Sequence, residues 1–297
     1  MAVVRVSTIK FHRRRIMLKK ISLVATLAVV LFLTINSNAQ ILLSGGLSYS
    51  QNFDSLSNTP AATTYTWTDN ATVGLAGWYA SRSFTGGTAT LFGPYAYTGY
   101  RVGDGSANNG TIWSYGTILN ADRALGTSSS GTPKTNAFGL RIQNDTASPL
   151  GTVTIAYTGE QWRNGGNTAV QSLLFSYKIS ATPFASPLDT VAPGVNGWTP
   201  FSSLDFLSPT TGATAATLDG NLAANRTVFS ATVLTGVTLN PGEEIFLRWT
   251  DLDDSGNDHG FGVDDFSVSF SAVPEPATMT IAGFATLGLI IWRRNRK

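Results

Sequence analysis

Apolar and polar residues alternate with a period of two through most of this 297-residue chain. The clearest runs lie between Gln40 and Ala272, where apolar residues occupy every second position: Val153, Ile155 and Tyr157; Leu173, Phe175, Tyr177 and Ile179; Ile245, Leu247 and Trp249; Phe266, Val268 and Phe270. A period of two is that of a β-strand, whereas an α-helix needs a period of 3.6. No stretch of about 12 residues in this region has helical spacing. The apolar residues are therefore expected to be buried by pleated sheets.

Turn-forming residues bound each of these runs. Gly, Pro, Asn and Asp separate them, and three stretches are long enough to be extended loops: Gly126–Asn136, Ala181–Pro200 and Ser208–Leu218. Short alternating strands with such turns are typical of two packed antiparallel sheets. The sequence therefore predicts an all-β, jelly-roll-like sandwich that occupies residues 40–272 as one domain.

The first 39 residues have the three parts of a secretory signal peptide. A basic segment that includes Arg13–Arg15 and Lys19–Lys20 precedes an apolar run from Ile21 to Ile35, and small residues follow at Ser37–Ala39. That order predicts export with cleavage before Gln40. An uncleaved anchor is the alternative, and Met17 offers a second start with its own basic segment.

The last 25 residues form a second ordered signal. Val273-Pro274-Glu275-Pro276 comes first, an uncharged apolar stretch from Ala277 to Trp292 follows, and a basic cluster ends the chain. Two prolines around a carboxylate exclude a helix interior or a central strand, so this motif is predicted to be extended and accessible. The apolar stretch predicts a short transmembrane helix whose basic end stays inside.

The order of these three parts resembles the PEP-CTERM sorting signal of Gram-negative bacteria, and Pro274–Pro276 matches its core. The resemblance implies recognition by an exosortase, a membrane enzyme that cuts near the motif. Members are commonly associated with exopolysaccharide or biofilm matrix. It therefore implies an exported protein, anchored in the membrane by its tail and later placed on the cell surface or in the matrix. A plain tail anchor is the alternative.

The charge of the central region argues against nucleic acid as a partner. The formal net charge is +2, but between Gln40 and Ala272 nine basic residues face 17 acids, which gives −8. The basic residues that raise the isoelectric point belong to the two ends. An acidic domain repels the phosphate backbone. The chain also has no Cys, which excludes disulfides and thiol chemistry.

One acidic segment near the end of the domain suggests a metal site. Six aspartates occur within 15 residues, and five of them are candidate Ca²⁺ ligands: Asp251, Asp253, Asp258, Asp264 and Asp265. Calcium takes six to eight oxygen ligands. The opening of the segment resembles an EF-hand loop, but Gly262 stands where the closing Glu is required. A looser calcium loop between two strands is therefore predicted, with a solvated acidic hairpin as the alternative.

The sequence offers few residues for catalysis. His259 is the only histidine beyond the signal segment, and no Gly-x-Ser-x-Gly elbow accompanies it. Glycoside hydrolysis needs only two carboxylates, for which Glu160, Glu243 and Glu244 are candidates together with the aspartates. Glu160 is more simply explained as an ion-pair partner of Arg163. Six tryptophans precede the tail, and they are expected in the core or on a sugar-binding platform.

The central region also carries a set of short motifs that resembles one found in other exported proteins. Tyr157–Arg163, Leu247–Asp251 and Asp258–Phe266 are similar to segments of a jelly-roll module found in exported proteins of environmental bacteria. Two acids that open a final strand also resemble MAM and carbohydrate-binding jelly rolls. We therefore predict a non-catalytic surface or matrix protein that associates with polysaccharide. The alternative is an extracellular carbohydrate-active enzyme that uses paired carboxylates.

Overall fold

The computed structural model describes residues 40–85 and 91–273. The predicted signal peptide and the predicted transmembrane helix both lie outside the described residues. The described part contains 17 strands, three 3₁₀ turns (Leu43–Gly45, Ser202–Leu204 and Ala223–Asn225) and no α-helix.

The strands are short except where they form the centre of each sheet. In chain order they are β1 Ile41–Leu42, β2 Ser48–Gln51, β3 Tyr65–Thr66, β4 Trp78–Thr85, β5 Leu91–Ala96, β6 Gly99–Gly103, β7 Thr111–Tyr115, β8 Ala124–Ser128, β9 Thr135–Gln143, β10 Leu150–Asn164, β11 Ser172–Ser180, β12 Thr199–Pro200, β13 Phe206–Leu207, β14 Ala216–Thr217, β15 Arg226–Leu234, β16 Glu244–Leu252 and β17 Gly260–Ala272.

These strands form two sheets. The first has the order β12-β11-β16-β9-β4-β5, with β1 beside β9 and β13 beside β11. The second has the order β14-β10-β17-β8-β7-β6-β3, with β15 beside β10 and β2 beside β17. Pairing is antiparallel throughout except for β1 with β9 and β6 with β7. The prediction of an all-β, two-sheet architecture is confirmed, and each alternating run identified in the sequence lies in a strand.

The core lies between the inner faces of the two sheets. Trp249 of the first sheet makes edge-to-face contacts with Tyr157 and Phe266 of the second, at centroid distances of 5.4 and 5.5 Å. Trp78 of the first sheet contacts Phe266 in the same way at 5.6 Å. Aromatic pairs in this geometry add to the stabilisation that comes from burying their surface. The alternation visible in the sequence therefore marks the face that each strand turns toward the opposite sheet.

Strand β16 departs from the simple pattern because both of its faces are buried. The predicted loop Ala181–Pro200 is largely a loop, but it covers the outer face of the first sheet instead of extending into solvent. Its Trp198 packs against Phe246 and lies 3.7 Å above the guanidinium of Arg248. We call Phe184–Trp198 the strap. It explains why Phe246 and Arg248 are buried although they occupy the outward positions of the strand.

The other predicted loops are shorter in the structure. Residues Gly126–Ser128 continue β8 and Thr135–Asn136 begin β9, while Ala216–Thr217 form β14. Gly, Ser and Thr in these stretches suggested turns, but partner strands supply the hydrogen bonds that hold them extended. Tertiary pairing of this kind overrides weak local preferences.

Candidate functional site

The acidic loop between β16 and β17 is held in place by uncharged side chains. The amide of Asn167 donates to the backbone carbonyls of Ser255 and Asn257, at 2.9 and 3.0 Å. The amide of Gln171 donates to the same Asn257 carbonyl at 2.8 Å. Carbonyl oxygens of this kind are typical calcium ligands. Here they already accept hydrogen bonds, so the loop has an ordered framework of protein groups.

His259 closes this loop and belongs to the same framework. Its Nδ1 accepts a hydrogen bond from the backbone N–H of Gly165 at 3.0 Å, and the backbone N–H of His259 donates to the side-chain oxygen of Gln171 at 2.6 Å. The imidazole is fully buried, and that burial lowers the pKa of His259. A neutral histidine with its Nδ1 occupied fits a structural role.

The three predicted calcium ligands of this loop have protein partners. Asp251 is buried and accepts a hydrogen bond from the hydroxyl of Thr127 at 3.2 Å. Asp253 forms an ion pair with Lys134. Asp258 accepts a hydrogen bond from a backbone N–H within the loop, at 2.9 Å. Within residues 40–85 and 91–273, no three acidic or histidine side chains converge as a metal-binding group.

Burial favours the protonated form of two of these carboxyl groups. The pKa of Asp251 is raised well above its ordinary value, first by burial and then by the nearby charge of Asp258. Burial also raises the pKa of Asp258, to about 7. A carboxyl group must ionise to bind calcium, so metal and proton compete for the same oxygens. Calcium binding at this loop stays a prediction.

The other two predicted ligands lie further along β17. Asp264 is paired in register with Thr158, four residues beyond the start of the strand, and its carboxyl group interacts with Glu160 of β10. Asp264 Oδ1 accepts the backbone N–H of Asp265 at 2.7 Å, and Asp265 has a positive φ of 49°. The loop aspartates and the Asp264–Asp265 pair therefore belong to different environments.

Glu160 and Asp264 form a buried carboxyl pair that the sequence did not reveal. Their exposed fractions are 2 and 5%. Glu160 accepts a hydrogen bond from the indole N–H of Trp162 at 2.8 Å. Burial is the largest cause that raises the pKa of Glu160 to about 7, and burial together with Glu160 raises that of Asp264 to about 9. The pair holds protons near neutral pH but lacks access to a polymeric substrate.

The expected ion pair between Glu160 and Arg163 is wrong. The guanidinium of Arg163 instead donates from Nη1 to the carbonyls of Gly105 and Ser106, at 3.0 and 3.1 Å. A register shift between Gln161 and Arg163 interrupts the regular alternation along β10, and Arg163 is paired with Gly260 at the end of the strand. The ion pairs within the described residues are Lys134–Asp253 and Arg141–Glu244.

The tryptophans do not form a sugar platform. All six tryptophans of the domain are buried, with exposed fractions of 3% or less: Trp67, Trp78, Trp113, Trp162, Trp198 and Trp249. Trp113, Tyr115 and Trp162 stack on one another on the outer face of the second sheet, beneath neighbouring loops. Their placement inside the structure is confirmed.

A polar cavity lies beside the acidic loop. Its volume is about 300 Å³, and it opens where three connections meet: Ser128–Gly131 between β8 and β9, Arg163 at the end of β10, and Gly256–Asp258 before β17. Asn108 and Ala215 complete its rim. The lining supplies hydroxyl, amide, guanidinium and carboxyl groups, and Ala215 is its one apolar side chain apart from glycine.

The cavity and the C-terminal tail lie at opposite ends of β17. This strand begins at Gly260, directly after the acidic loop, and ends at Ala272, where the tail begins. Strand β10 pairs with it over the whole distance, from Arg163 beside Gly260 to Leu150 beside Ala272. Thirteen residues at roughly 3.3 Å each span about 40 Å. We call the two ends of the sandwich the loop end and the tail end.

The sequence of the tail matches a known protein family over residues 272–297, described as the PEP-CTERM protein-sorting motif. This tail is a PEP-CTERM sorting motif. The resemblance inferred from Val273, Pro274, Glu275 and Pro276 is thereby confirmed. The PEP-CTERM motif implies export to the cell surface and sorting by an exosortase. Val273 is the last described residue, and its N–H donates to the carbonyl of Pro149 at 3.1 Å.

No curated protein matches the chain by sequence. Among solved structures, TmCBM61 in complex with β-1,4-galactotriose is similar with 10% identity and a TM-score of 0.24, over 52% of this chain and 74% of that one. The K3 cleaved adhesin domain of Lys-gingipain from Porphyromonas gingivalis is similar with 13% identity and a TM-score of 0.29, over 52 and 78%. At these TM-scores neither neighbour bears on function.

Within residues 40–85 and 91–273, no helix has the length and apolar character needed to cross a membrane. The helix predicted for residues 277–292 of the PEP-CTERM tail lies outside this part of the chain.

Proposed function

We propose that this chain is an exported, exosortase-processed sandwich protein of the cell surface or extracellular matrix, non-catalytic and associated with polysaccharide. One observation carries the proposal: the PEP-CTERM motif begins at residue 272, where β17 ends. A cut at Pro274–Pro276 would therefore leave every strand of residues 40–85 and 91–273 in place. The domain is held by its tail until the cut and keeps both sheets afterwards.

The architecture that we propose for the domain is a jelly roll. Strands β8, β9, β10 and β11 alternate between the two sheets, and β15, β16 and β17 alternate in the same way. The last strand, β17, lies between β8 and β10, and β16 lies between β9 and β11. Two antiparallel sheets joined by such alternating connections are those of a jelly roll. This connectivity places the turns that cross from one sheet to the other at the two ends of the sandwich.

A non-catalytic role is supported by the state of the candidate acid–base groups. The buried pair Glu160 and Asp264 is closed to a polysaccharide chain, and His259 uses its Nδ1 inside the protein. General acid–base catalysis requires a group within hydrogen-bond reach of the substrate. A carbohydrate-active enzyme would therefore need another pair of carboxylates or an opening of the second sheet.

Two observations support the association with polysaccharide. One is what the PEP-CTERM motif implies, and the other is that β17 runs from the loop end of the sandwich to its tail end. A domain attached at its tail end presents its loop end outward, about 40 Å away. Loops positioned by a rigid sandwich are common binding surfaces. A surface or matrix protein with this arrangement can bind polymer at one end while it is attached at the other.

The test of sorting uses the full chain expressed in a Gram-negative host with and without an exosortase. We expect a shorter, membrane-released product only when the enzyme is present, and Glu275→Gln should reduce that product strongly. Glu243→Gln, the same change within the folded domain, is the matched control. Processing that is unaffected by Glu275→Gln would contradict the proposal.

A truncation tests whether the domain is independent of its tail. A chain that ends at Val273 retains β17 and the hydrogen bond to Pro149. We expect it to be released from the membrane fraction with the same melting temperature as the processed protein. Retention in the membrane would show that the tail is not the anchor, and a lower melting temperature would show that the tail belongs to the fold.

A further inference from the structure

The cavity at the loop end has the features of a preformed binding site. Two of its walls are rigid, because Asn167 and Gln171 hold the acidic loop and two backbone carbonyls hold the guanidinium of Arg163. The third wall, Ser128–Gly131, is held by a hydrogen bond from Ser129 Oγ to the backbone carbonyl of Asp251 at 2.8 Å. A site whose groups are already fixed loses little entropy when it binds a ligand.

The chemistry of the lining selects a hydroxylated ligand. It offers the hydroxyls of Ser128 and Ser130, the amide of Asn108, the guanidinium of Arg163 and the carboxyl of Asp258. These groups include both donors and acceptors, as neighbouring hydroxyls of a sugar require. One cationic and one acidic side chain give the lining no excess of either charge. An apolar ligand would leave the remaining donors and acceptors of these groups without partners, which is costly.

The size of the cavity limits how much of a polymer it can hold. A volume of about 300 Å³ is the lower end of the range for small-molecule sites, which is roughly 300–1,000 Å³. Long polysaccharide segments are usually bound along exposed aromatic rings, and the tryptophans of this domain are all buried. The cavity therefore fits one sugar residue, at a chain end or on a branch.

We propose that the loop-end cavity binds a single uncharged sugar residue of an extracellular polysaccharide, with Arg163 and Asp258 among its hydrogen-bonding groups. This inference rests on the proposed association with polysaccharide and adds the site and the class of ligand. Because β17 separates the cavity from the tail by the length of the sandwich, attachment at the tail end leaves the site open.

The experiment measures binding of the full chain, purified in detergent, to cellohexaose, mannohexaose and dextran, with polygalacturonate as the anionic comparison. We expect at least one neutral probe to bind, and Asp258→Asn to weaken its binding about tenfold, as expected for the loss of one hydrogen bond. Asn108→Ala is a second variant, because Asn108 is an exposed rim residue whose loss spares the fold. Asp145→Asn, an exposed site near the tail end, is the matched control and should bind as the unchanged protein does.

Each result supports or overturns one stated part of the proposal. Weaker binding in both cavity variants, with unchanged melting temperatures and an unchanged control, supports the site. Unchanged binding in both variants overturns the site but leaves the association with polysaccharide intact. Preference for polygalacturonate overturns the assignment of an uncharged ligand. Absence of binding to every probe overturns both the site and the association, while exosortase processing is judged separately by the cleavage test.

Discussion

Glu160 and Asp264 share one face of the second sheet as a buried carboxyl pair. Glu160 is paired with Gly262, and Asp264 lies two residues further along the same face of β17. Arg226 stands opposite Glu160 on the edge strand β15, but it is exposed and forms no ion pair with Glu160. Two carboxyl groups in this position are stable together only while they hold protons.

This pair predicts that the domain becomes less stable as the pH rises. The folded-state pKa values are raised, to about 7 for Glu160 and about 9 for Asp264, whereas both groups ionise near pH 4 in the unfolded chain. The folded state therefore binds more protons, and its stabilisation, complete below about pH 4, is lost as the pH rises through these values. We expect a loss on the order of a few kcal/mol between about pH 5 and about pH 9.

Thermal melts across this pH range provide the measurement. Asp264→Asn removes one titrating carboxyl and should flatten the pH dependence, while Asp145→Asn, at an exposed carboxyl whose pKa is lowered, should leave it unchanged. A melting temperature that rises between pH 5 and pH 9, or an Asp264→Asn variant as pH-sensitive as the original, would contradict the assignment.

The buried ion pair beneath the strap predicts a second, larger effect. Arg141 donates to both oxygens of Glu244 at 2.7 and 2.8 Å, with both side chains almost fully buried. Glu244→Gln should cost about 3–5 kcal/mol in unfolding free energy, because it leaves a buried guanidinium without its counter-charge. Adding Arg141→Met should recover much of the loss, since the uncompensated charge is then gone.

Urea unfolding measures these differences, and the more exposed pair Lys134–Asp253 is the comparison. Its side chains are 33 and 17% exposed. Asp253→Asn should therefore cost about 1 kcal/mol or less. Equal costs for Glu244→Gln and Asp253→Asn would show that burial does not govern the strength of these pairs.

The strap predicts a local change that can be followed by proteolysis. Trp198 packs on Phe246 and over Arg248, while the carbonyl of Leu188 accepts a hydrogen bond from Ser81 at 2.6 Å. Trp198→Ala should cost about 3–5 kcal/mol and expose the strap to proteases. Leu207→Ala, at a side chain that is largely exposed, should change stability by about 0.5 kcal/mol or less. If proteases cleave the strap of the Trp198→Ala variant as slowly as that of the unchanged protein, the other contacts of the strap are sufficient to hold it.

Calcium binding at the acidic loop makes a pH-dependent prediction. Asp258 must ionise and Asp253 must leave Lys134 before either can serve as a ligand. Millimolar Ca²⁺ should therefore raise the melting temperature more at about pH 8 than at about pH 6, by mass action on the folded state. Asp253→Asn should abolish the difference. Equal melting temperatures with calcium and with a chelator at both pH values would leave the hydrogen-bonded hairpin as the explanation.

The strands could be predicted from the sequence because their signal is local. Val153, Ile155 and Tyr157 alternate along β10 and all reach the core. The burial of Phe246 and Arg248 could not be predicted, since it depends on a segment about 50 residues earlier in the chain. A bare period-two pattern identifies two faces, but it does not reveal that a loop covers the outer one.

The neighbours of the candidate site residues could not be predicted either, because they depend on how two strands are aligned with each other. Asp251, Asp258 and Asp264 are close in sequence. Asp264 nevertheless lies four residues into β17, away from the loop, and is close to Glu160 of β10. The partnership of Glu160 with Asp264 depends on the register between β10 and β17, which no local pattern specifies. The sorting tail could be recognised fully because its signal lies in a short contiguous motif.

The position of β17 also determines how the domain meets mechanical load. A pull on the chain at Val273 acts along the axis of β17, which is hydrogen-bonded on one side to β10 and on the other to β2 and β8. Hydrogen bonds between antiparallel strands lie perpendicular to that axis, so the pull shears many of them at once instead of opening them in turn. Forced unfolding is governed by the unfolding rate, and shear geometry slows it. A matrix protein bound at its far end and tethered at its tail would therefore carry tension along one of its two most extensively paired strands.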